Sequence, residues 1–161
     1  MSTNGAELVF AASTLCRGEA AGPLLALDEP LSFWGGTDLK TGLIIDAHHP
    51  QHGTSLGGTV LLMDASRGSS SSSSVLAEQL RAGVGPAAIV LSSRDAILCL
   101  GVLAATELYG NHTPVVLLDP ADAAALRAQL PPGPARVSVR ATPGGIAAVV
   151  LFLPAPSQGH P

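Results

Sequence analysis

Thr59-Val60-Leu61-Leu62-Met63 is followed, after three residues, by Arg67-Gly68-Ser69, five further serines through Ser74, and then Val75-Leu76-Ala77-Glu78. The first segment is an apolar run of strand length, and the last opens a helical pattern. Between them lies a polar glycine-serine turn. A strand-to-helix turn gathers backbone N–H groups at one spot, and the partial positive charge of the helix N-terminus favours an anion or an alkoxide there. Two plainer readings stand beside this one: a flexible serine linker, and helix capping by Ser72, Ser73 or Ser74. Linkers usually join domains, whereas this stretch falls inside one strand-to-helix step of a chain of 161 residues.

Outward from the loop, apolar runs of strand length alternate with turn residues. Leu8 to Ala11, Leu24 to Leu27, Leu43 to Ile45 and the run before the serines read as strands, separated by Gly-Pro, Glu-Pro and Gly-Gly breaks. After the loop come a helix ending near Gly83-Val84-Gly85-Pro86 and a buried strand from Ala87 to Leu91. A helix from about Asp95 to Tyr109 follows, with Ile97, Leu100, Val102 and Leu103 on its apolar side. Val115 to Leu118 is a further strand, and a short Ala-rich helix runs from about Ala121 to Gln129. A hairpin of Val137 to Val139 and Ile146 to Leu153 ends the pattern. Strands first and βαβα units afterwards predict an α/β fold: a barrel-like mixed sheet with packed helices, its ligands at the strand-to-helix turns. One domain is expected over residues 1–161, with loose termini at about 1–5 and 154–161.

The chain is 47% hydrophobic and 12% charged, so a sizeable core is within reach. Ordinary domains carry roughly 25% charged residues; a surface this short of charge fits either a subunit interface or an Ala- and Gly-rich bias. A net charge of −4 and eight Lys and Arg leave no basic stripe for nucleic acid. Met1 to Leu8 has neither a basic n-region nor a long apolar core, so no secretory signal is expected. No apolar run approaches the roughly 18 residues of a membrane span. Cys16 and Cys99 stand far apart with no CxxC, which gives no disulfide or metal framework and suits a reducing cytoplasm.

Two other stretches carry candidate chemistry. Pro30-Leu31-Ser32-Phe33-Trp34-Gly35-Gly36 sets the only tryptophan beside a Gly-Gly pair that lets backbone approach a ligand or partner, or forms a turn with one anchoring aromatic. Asp46-Ala47-His48-His49-Pro50-Gln51-His52 holds three of the five histidines. Imidazoles this close are candidate metal ligands, but Pro50 prevents one helix face from presenting them. Loop histidines that order a surface or touch a substrate are the alternative.

Taken in order, Gly22-Pro23, Glu29-Pro30-Leu31-Ser32-Phe33-Trp34-Gly35-Gly36, Ile45-Asp46, His48-His49-Pro50 and Arg67-Gly68-Ser69 resemble the small swivel subunit of aconitase X, over roughly residues 5 to 120. The resemblance implies a swivelling β/β/α domain. It also implies a hydro-lyase small subunit, because the family includes cis-3-hydroxy-L-proline dehydratases and phosphomevalonate dehydratases. In both, a small chain or domain closes over a large iron-dependent one. The family's proton-accepting serine, which follows a basic-residue-Gly pair, corresponds to Ser69, with Arg67, Gly68, Ser70 and Ser71 as substrate-binding neighbours. Ser32, Trp34, Gly35, Gly36, His48 and His49 form a second loop facing substrate or partner. The unbroken run of six serines departs from the family pattern and allows a neighbouring register.

The chemistry fits the loop. Dehydrating a β-hydroxy acid takes a proton from the carbon beside a carboxylate while a Lewis acid draws off the hydroxyl. Serine is a poor base unless its alkoxide is stabilised, and a helix N-terminus with Arg67 alongside supplies that. Two distant cysteines cannot hold an iron–sulfur cluster, which wants three or four thiolates. The iron centre is therefore expected on the large subunit, with no metal bound by this chain and no activity from it alone. The full His48-His49-Pro50 segment, Trp34 and few cations outside the loop favour cis-3-hydroxy-L-proline over phosphomevalonate. A non-catalytic anion-binding or regulatory module and a stand-alone metal protein using His48, His49 and His52 are the rivals.

Overall fold

A computed structural model describes residues 5–155. The loose ends expected from the sequence lie outside these residues, apart from Gly5, Pro154 and Ala155. Seven strands, β1 (Ala6–Cys16), β2 (Gly18–Ala26), β3 (Val60–Met63), β4 (Ala88–Leu91), β5 (Val115–Leu117), β6 (Arg136–Ala141) and β7 (Ile146–Leu153), close into a barrel in the order β1-β5-β4-β3-β2-β6-β7. The run β2-β3-β4-β5 is parallel, and the other pairings are antiparallel. Four helical segments are interleaved: α1 (Phe33–Gly36), α2 (Ser71–Ala82), α3 (Ala96–Tyr109) and α4 (Pro120–Ala128). The expected barrel-like mixed α/β sheet is what forms.

The central strands explain how one sheet serves two cores. Every residue of β3 and β4 is buried, and side chains on a strand alternate between faces. Val60, Leu62, Ala88 and Val90 point into the barrel, where they meet Val116, Val137, Val139, Val149 and Leu151, with Leu126 of α4 over them. Leu61, Met63, Ile89 and Leu91 point outward onto Leu76 and Leu80 of α2 and Leu98 and Val102 of α3. The two helices therefore lie on the outer face of the parallel strands. Their N-termini follow the C-terminal ends of β3 and β4, as in other parallel α/β units.

Three expectations change. β1 and β2 extend well beyond the apolar runs, because small residues such as the half-exposed Ala12 and Ala20 and the buried Gly22 pair in register with β7 and β6. The strand expected over Leu43 to Ile45 is absent as such: Leu43 and Ile44 make only isolated bridges, to Ser55 and Thr37. On α3 the buried face is Leu98, Gly101, Val102 and Ala105. Leu100 is 59% exposed and Leu103 49%. A helix with one charged residue, Glu107, carries no polar face for periodicity to reveal.

The buried face of α3 follows from a close approach. A Cβ on Gly101 would stand 2.7 Å from the Ser73 carbonyl oxygen and 3.2 Å from its Cα, so only glycine admits α2 at this distance. Gly101→Ala is expected to cost about 1–3 kcal/mol of stability by overpacking, read as a lower midpoint in thermal unfolding. An unchanged midpoint would mean that the helices separate freely. No helix among the described residues is long and apolar enough to cross a membrane.

Candidate active site at the serine loop

The serine run divides in two. Helix α2 begins at Ser71, four residues earlier than Val75, and Ser70 occupies the N-cap position without a side-chain capping bond. Ser72 and Ser73 are buried inside the first turn. Ser73 Oγ donates to the Ile97 carbonyl at 2.6 Å, and Ser72 Oγ accepts from the Trp34 amide at 3.3 Å. These two hydroxyls serve packing, so the capping expected of Ser72, Ser73 or Ser74 is not their task. Small side chains are needed here for the same reason that glycine is needed at 101.

Ser69, Ser70 and Ser71 are exposed, as are Arg67 and Gly68. Among the described residues, the amides of Ser69, Ser70 and Ser71 have no protein acceptor, and Arg67 makes no ion pair. Two or three N–H groups at the N-terminus of a twelve-residue helix, next in sequence to an arginine with no ion pair, are donors of the kind that suit an anion. Gly68 has φ +110, in the region that favours glycine, and a Cβ there would lie 2.7 Å from Ser32 Oγ. That contact joins the serine loop to the second candidate stretch.

The tryptophan segment is an irregular turn rather than a helix: Trp34 is extended and Gly35 has φ 81. Ser32 Oγ donates to the Trp34 carbonyl at 2.7 Å, Leu31 bridges to Ser66, and the Arg67 amide donates to the Leu31 carbonyl at 2.9 Å. Trp34 itself is 61% exposed beside the loop. From beneath, Gln79 of α2 donates to Thr37 Oγ1 at 2.8 Å and to the Asp38 carbonyl at 3.1 Å. Arg67, Gly68, Ser69, Ser32, Trp34, Gly35 and Gly36 thus share one end of the barrel.

The histidine loop reaches this end only through backbone. The Ile45 and Asp46 amides donate to the Gly36 carbonyl. His49 is buried, its Nε2 lying 3.1 Å from the Glu29 carbonyl and its Nδ1 accepting from the Gln51 amide at 3.0 Å. Both ring nitrogens are thereby committed, with the proton on Nε2. His49 orders the loop and has no nitrogen left for substrate or metal, which removes it from the substrate-contacting set. His48 is exposed, its amide donating to Asp46 Oδ1 at 2.9 Å.

A pair of carboxylates that the sequence reading missed holds the loop from the other side. Asp95 Oδ1 accepts from the Leu98 amide at 3.0 Å, capping α3. Its Oδ2 accepts from the Ser66 amide at 2.7 Å and from the Ser66 hydroxyl. Reciprocally, Asp64 Oδ1 accepts from Ser92 Oγ at 2.8 Å and Ser93 Oγ at 2.6 Å. The Ser93 and Ser92 hydroxyls hold the Asp64 carboxyl below its usual range. The β3–α2 and β4–α3 turns are therefore cross-linked twice. An Asp just before an apolar helix is a legible cap, but its bond to Ser66 is tertiary.

Among the described residues, five clefts of about 220 to 550 Å³ lie elsewhere and are not lined by Arg67, Gly68, Ser69, Ser70 or Ser71. Residues 9–146 match the family model of the aconitase X swivel domain. The chain belongs to the aconitase X swivel family. It is 48% identical over 101 residues to the cis-3-hydroxy-L-proline dehydratase of Hypocrea jecorina, covering 63% of this chain and 17% of that protein. It is 41% identical over 91 residues to the phosphomevalonate dehydratase small subunit of Methanothermobacter thermautotrophicus, covering 56% of this chain and 70% of that one. The structure of Thermococcus kodakaraensis aconitase X superposes with a TM-score of 0.72 at 26% identity, over 91% of this chain and 98% of the other. The chain spans less than a fifth of the dehydratases it matches at 46–48% identity. The swivel fold and family expected from the sequence are thus found.

Proposed function

We propose that this chain is the small swivel subunit of an aconitase X-type hydro-lyase, one domain that completes its active site against a large partner. Cis-3-hydroxy-L-proline is the substrate most favoured. The observation that carries the reading is the division of the serine run: Ser72 and Ser73 are spent on packing, while Ser69 to Ser71 stand free beside Arg67. In this reading Ser69 Oγ takes the proton from the carbon beside the substrate carboxylate. The Ser70 and Ser71 amides and Arg67 hold that carboxylate and stabilise the serine oxygen as charge develops. The hydroxyl leaves as water, and the ring becomes a cyclic imine. Trp34 covers the substrate from the adjoining turn.

The donor set in this chain does not suit an iron centre. His49 has no free nitrogen, Cys16 is buried, and two thiols fall short of a cluster's need. The reading therefore assigns the iron or iron–sulfur group to the large partner and no metal to His48, His49 and His52. Ser69, Ser70 and Ser71 are exposed, so a pocket around them needs a facing surface. The exposed apolar residues of α3 and Trp34 suit such an interface better than solvent. With two cysteines and no framework between them, the cytoplasm is the compartment proposed.

The test is co-expression with the large partner and an anaerobic assay with iron. Release of a cyclic imine from cis-3-hydroxy-L-proline is expected from the complex and not from the chain alone. A complex inert toward this substrate and active on phosphomevalonate would move the substrate to the second dehydratase class. Failure to form a complex would leave a non-catalytic anion-binding module.

A further inference from the structure

One peptide group of the tryptophan turn is tied at both ends to α2. The Trp34 amide donates to Ser72 Oγ at 3.3 Å. The carbonyl of the same peptide, that of Phe33, accepts from Thr37 Oγ1 at 2.7 Å, and Thr37 Oγ1 in turn accepts from Gln79 Nε2 at 2.8 Å. Ser72 and Gln79 lie about two helical turns apart on the buried face of α2, with Leu76 between them. Trp34 is extended and Gly35 has φ 81, so no helical ladder fixes this peptide; the side chains of α2 do.

Gln79 makes its bonds at a cost. It is fully buried, and its Oε1 has no partner among the described residues. Turning the amide over gives no relief, because the Asp38 carbonyl at 3.1 Å only accepts and Thr37 Oγ1 has committed its proton to Phe33. An apolar side chain of the same length would remove the orphaned acceptor. It would also leave the Asp38 carbonyl its bond from the Gly42 amide at 2.9 Å. What it would lose is the hold on the turn.

We propose that Gln79 is a positioning residue, which acts through Thr37 on the Phe33–Trp34 peptide and fixes where the exposed indole stands against Ser69, Ser70 and Ser71. The role rests on the hydro-lyase reading, in which Trp34 covers the substrate. Helix α2 then carries the serine amides at its N-terminus and, further along, the amide that sets the cover. A loosened cover weakens the binding of substrate and transition state alike, so Gln79 acts on KM rather than on the chemical step.

Gln79→Met is the test, and Trp34, the only tryptophan of the chain, reports it. In the full chain alone the thermal midpoint is expected to hold or rise, while the fluorescence anisotropy of Trp34 falls as the indole gains local motion. In the complex with the large partner, KM for cis-3-hydroxy-L-proline is expected to rise about 5- to 10-fold with kcat within about twofold. Thr37 supplies a second pair of variants if Gln79→Met does not fold: Thr37→Val breaks the relay and lowers the anisotropy, and Thr37→Ser keeps the hydroxyl and restores it. Anisotropy unchanged in the folded variants, or lowered equally by Thr37→Ser and Thr37→Val, overturns the proposal, as does a fall in kcat at unchanged KM. A wild-type complex without turnover counts against the hydro-lyase reading, and the anisotropy still decides whether Gln79 holds the turn.

Discussion

Under the proposed hydro-lyase reading, Ser69→Ala is expected to lower turnover of the complex with the large partner about 10²- to 10⁴-fold, the range for loss of a positioned proton acceptor, and to leave assembly and thermal stability unchanged. The stability half of this prediction comes from the structure. Ser69 is exposed and its hydroxyl has no partner among the described residues, whereas surface substitutions away from such contacts usually stay within about 0.5 kcal/mol. Ser73→Ala is the contrast: it orphans the Ile97 carbonyl from its side-chain donor and is expected to cost about 1 kcal/mol with a far smaller kinetic effect. The same pair of measurements fixes the register. If Ser70→Ala or Ser71→Ala collapses turnover and Ser69→Ala does not, the acceptor lies one or two positions further on. If none of the three does, the loop binds without catalysing.

How much of this was legible beforehand depends on where each signal is encoded. The strand-turn-helix junction at 59–78 is local, so its apolar run and serines placed the loop correctly. Ser72 and Ser73 read as caps because serine inside a helix is uncommon, and the reason for them, the contact with Gly101 and Ile97, is tertiary. Ile44 is buried, yet Leu43 to Ile45 forms no strand, because its neighbours pair only at single bridges. His49 read in sequence as a loop histidine that orders a surface or touches a substrate, and only the Glu29 carbonyl and Gln51 amide decide for the ordering role. The outer face of α3 was misassigned because fourteen residues with one charge carry no usable period. Residues whose partner lies in another βα turn, Ser66 with Asp95 and Asp64 with Ser92 and Ser93, were invisible.

Asp95→Ala tests that cross-link, and its effect on the fold is expected to be the largest of the single substitutions considered. The change removes the acceptor of the Leu98 amide, the Ser66 amide and the Ser66 hydroxyl together. An N-cap alone is worth about 1 kcal/mol, and hydrogen bonds to a charged group about 1.5–3 kcal/mol each before exposure reduces them. A loss of about 2–4 kcal/mol follows, visible as a lower urea midpoint at unchanged slope. Asp95→Asn separates the two roles. Its amide oxygen can still cap Leu98, but its NH₂ cannot accept from the Ser66 amide, so about half the stability should return. Turnover should not return with it, because Ser66 precedes Arg67 and Gly68 and releasing it lets the serine loop leave the tryptophan turn. Equal recovery of stability and turnover in Asp95→Asn would reduce Asp95 to a helix cap. A stability loss below about 0.5 kcal/mol in Asp95→Ala would remove the cross-link altogether.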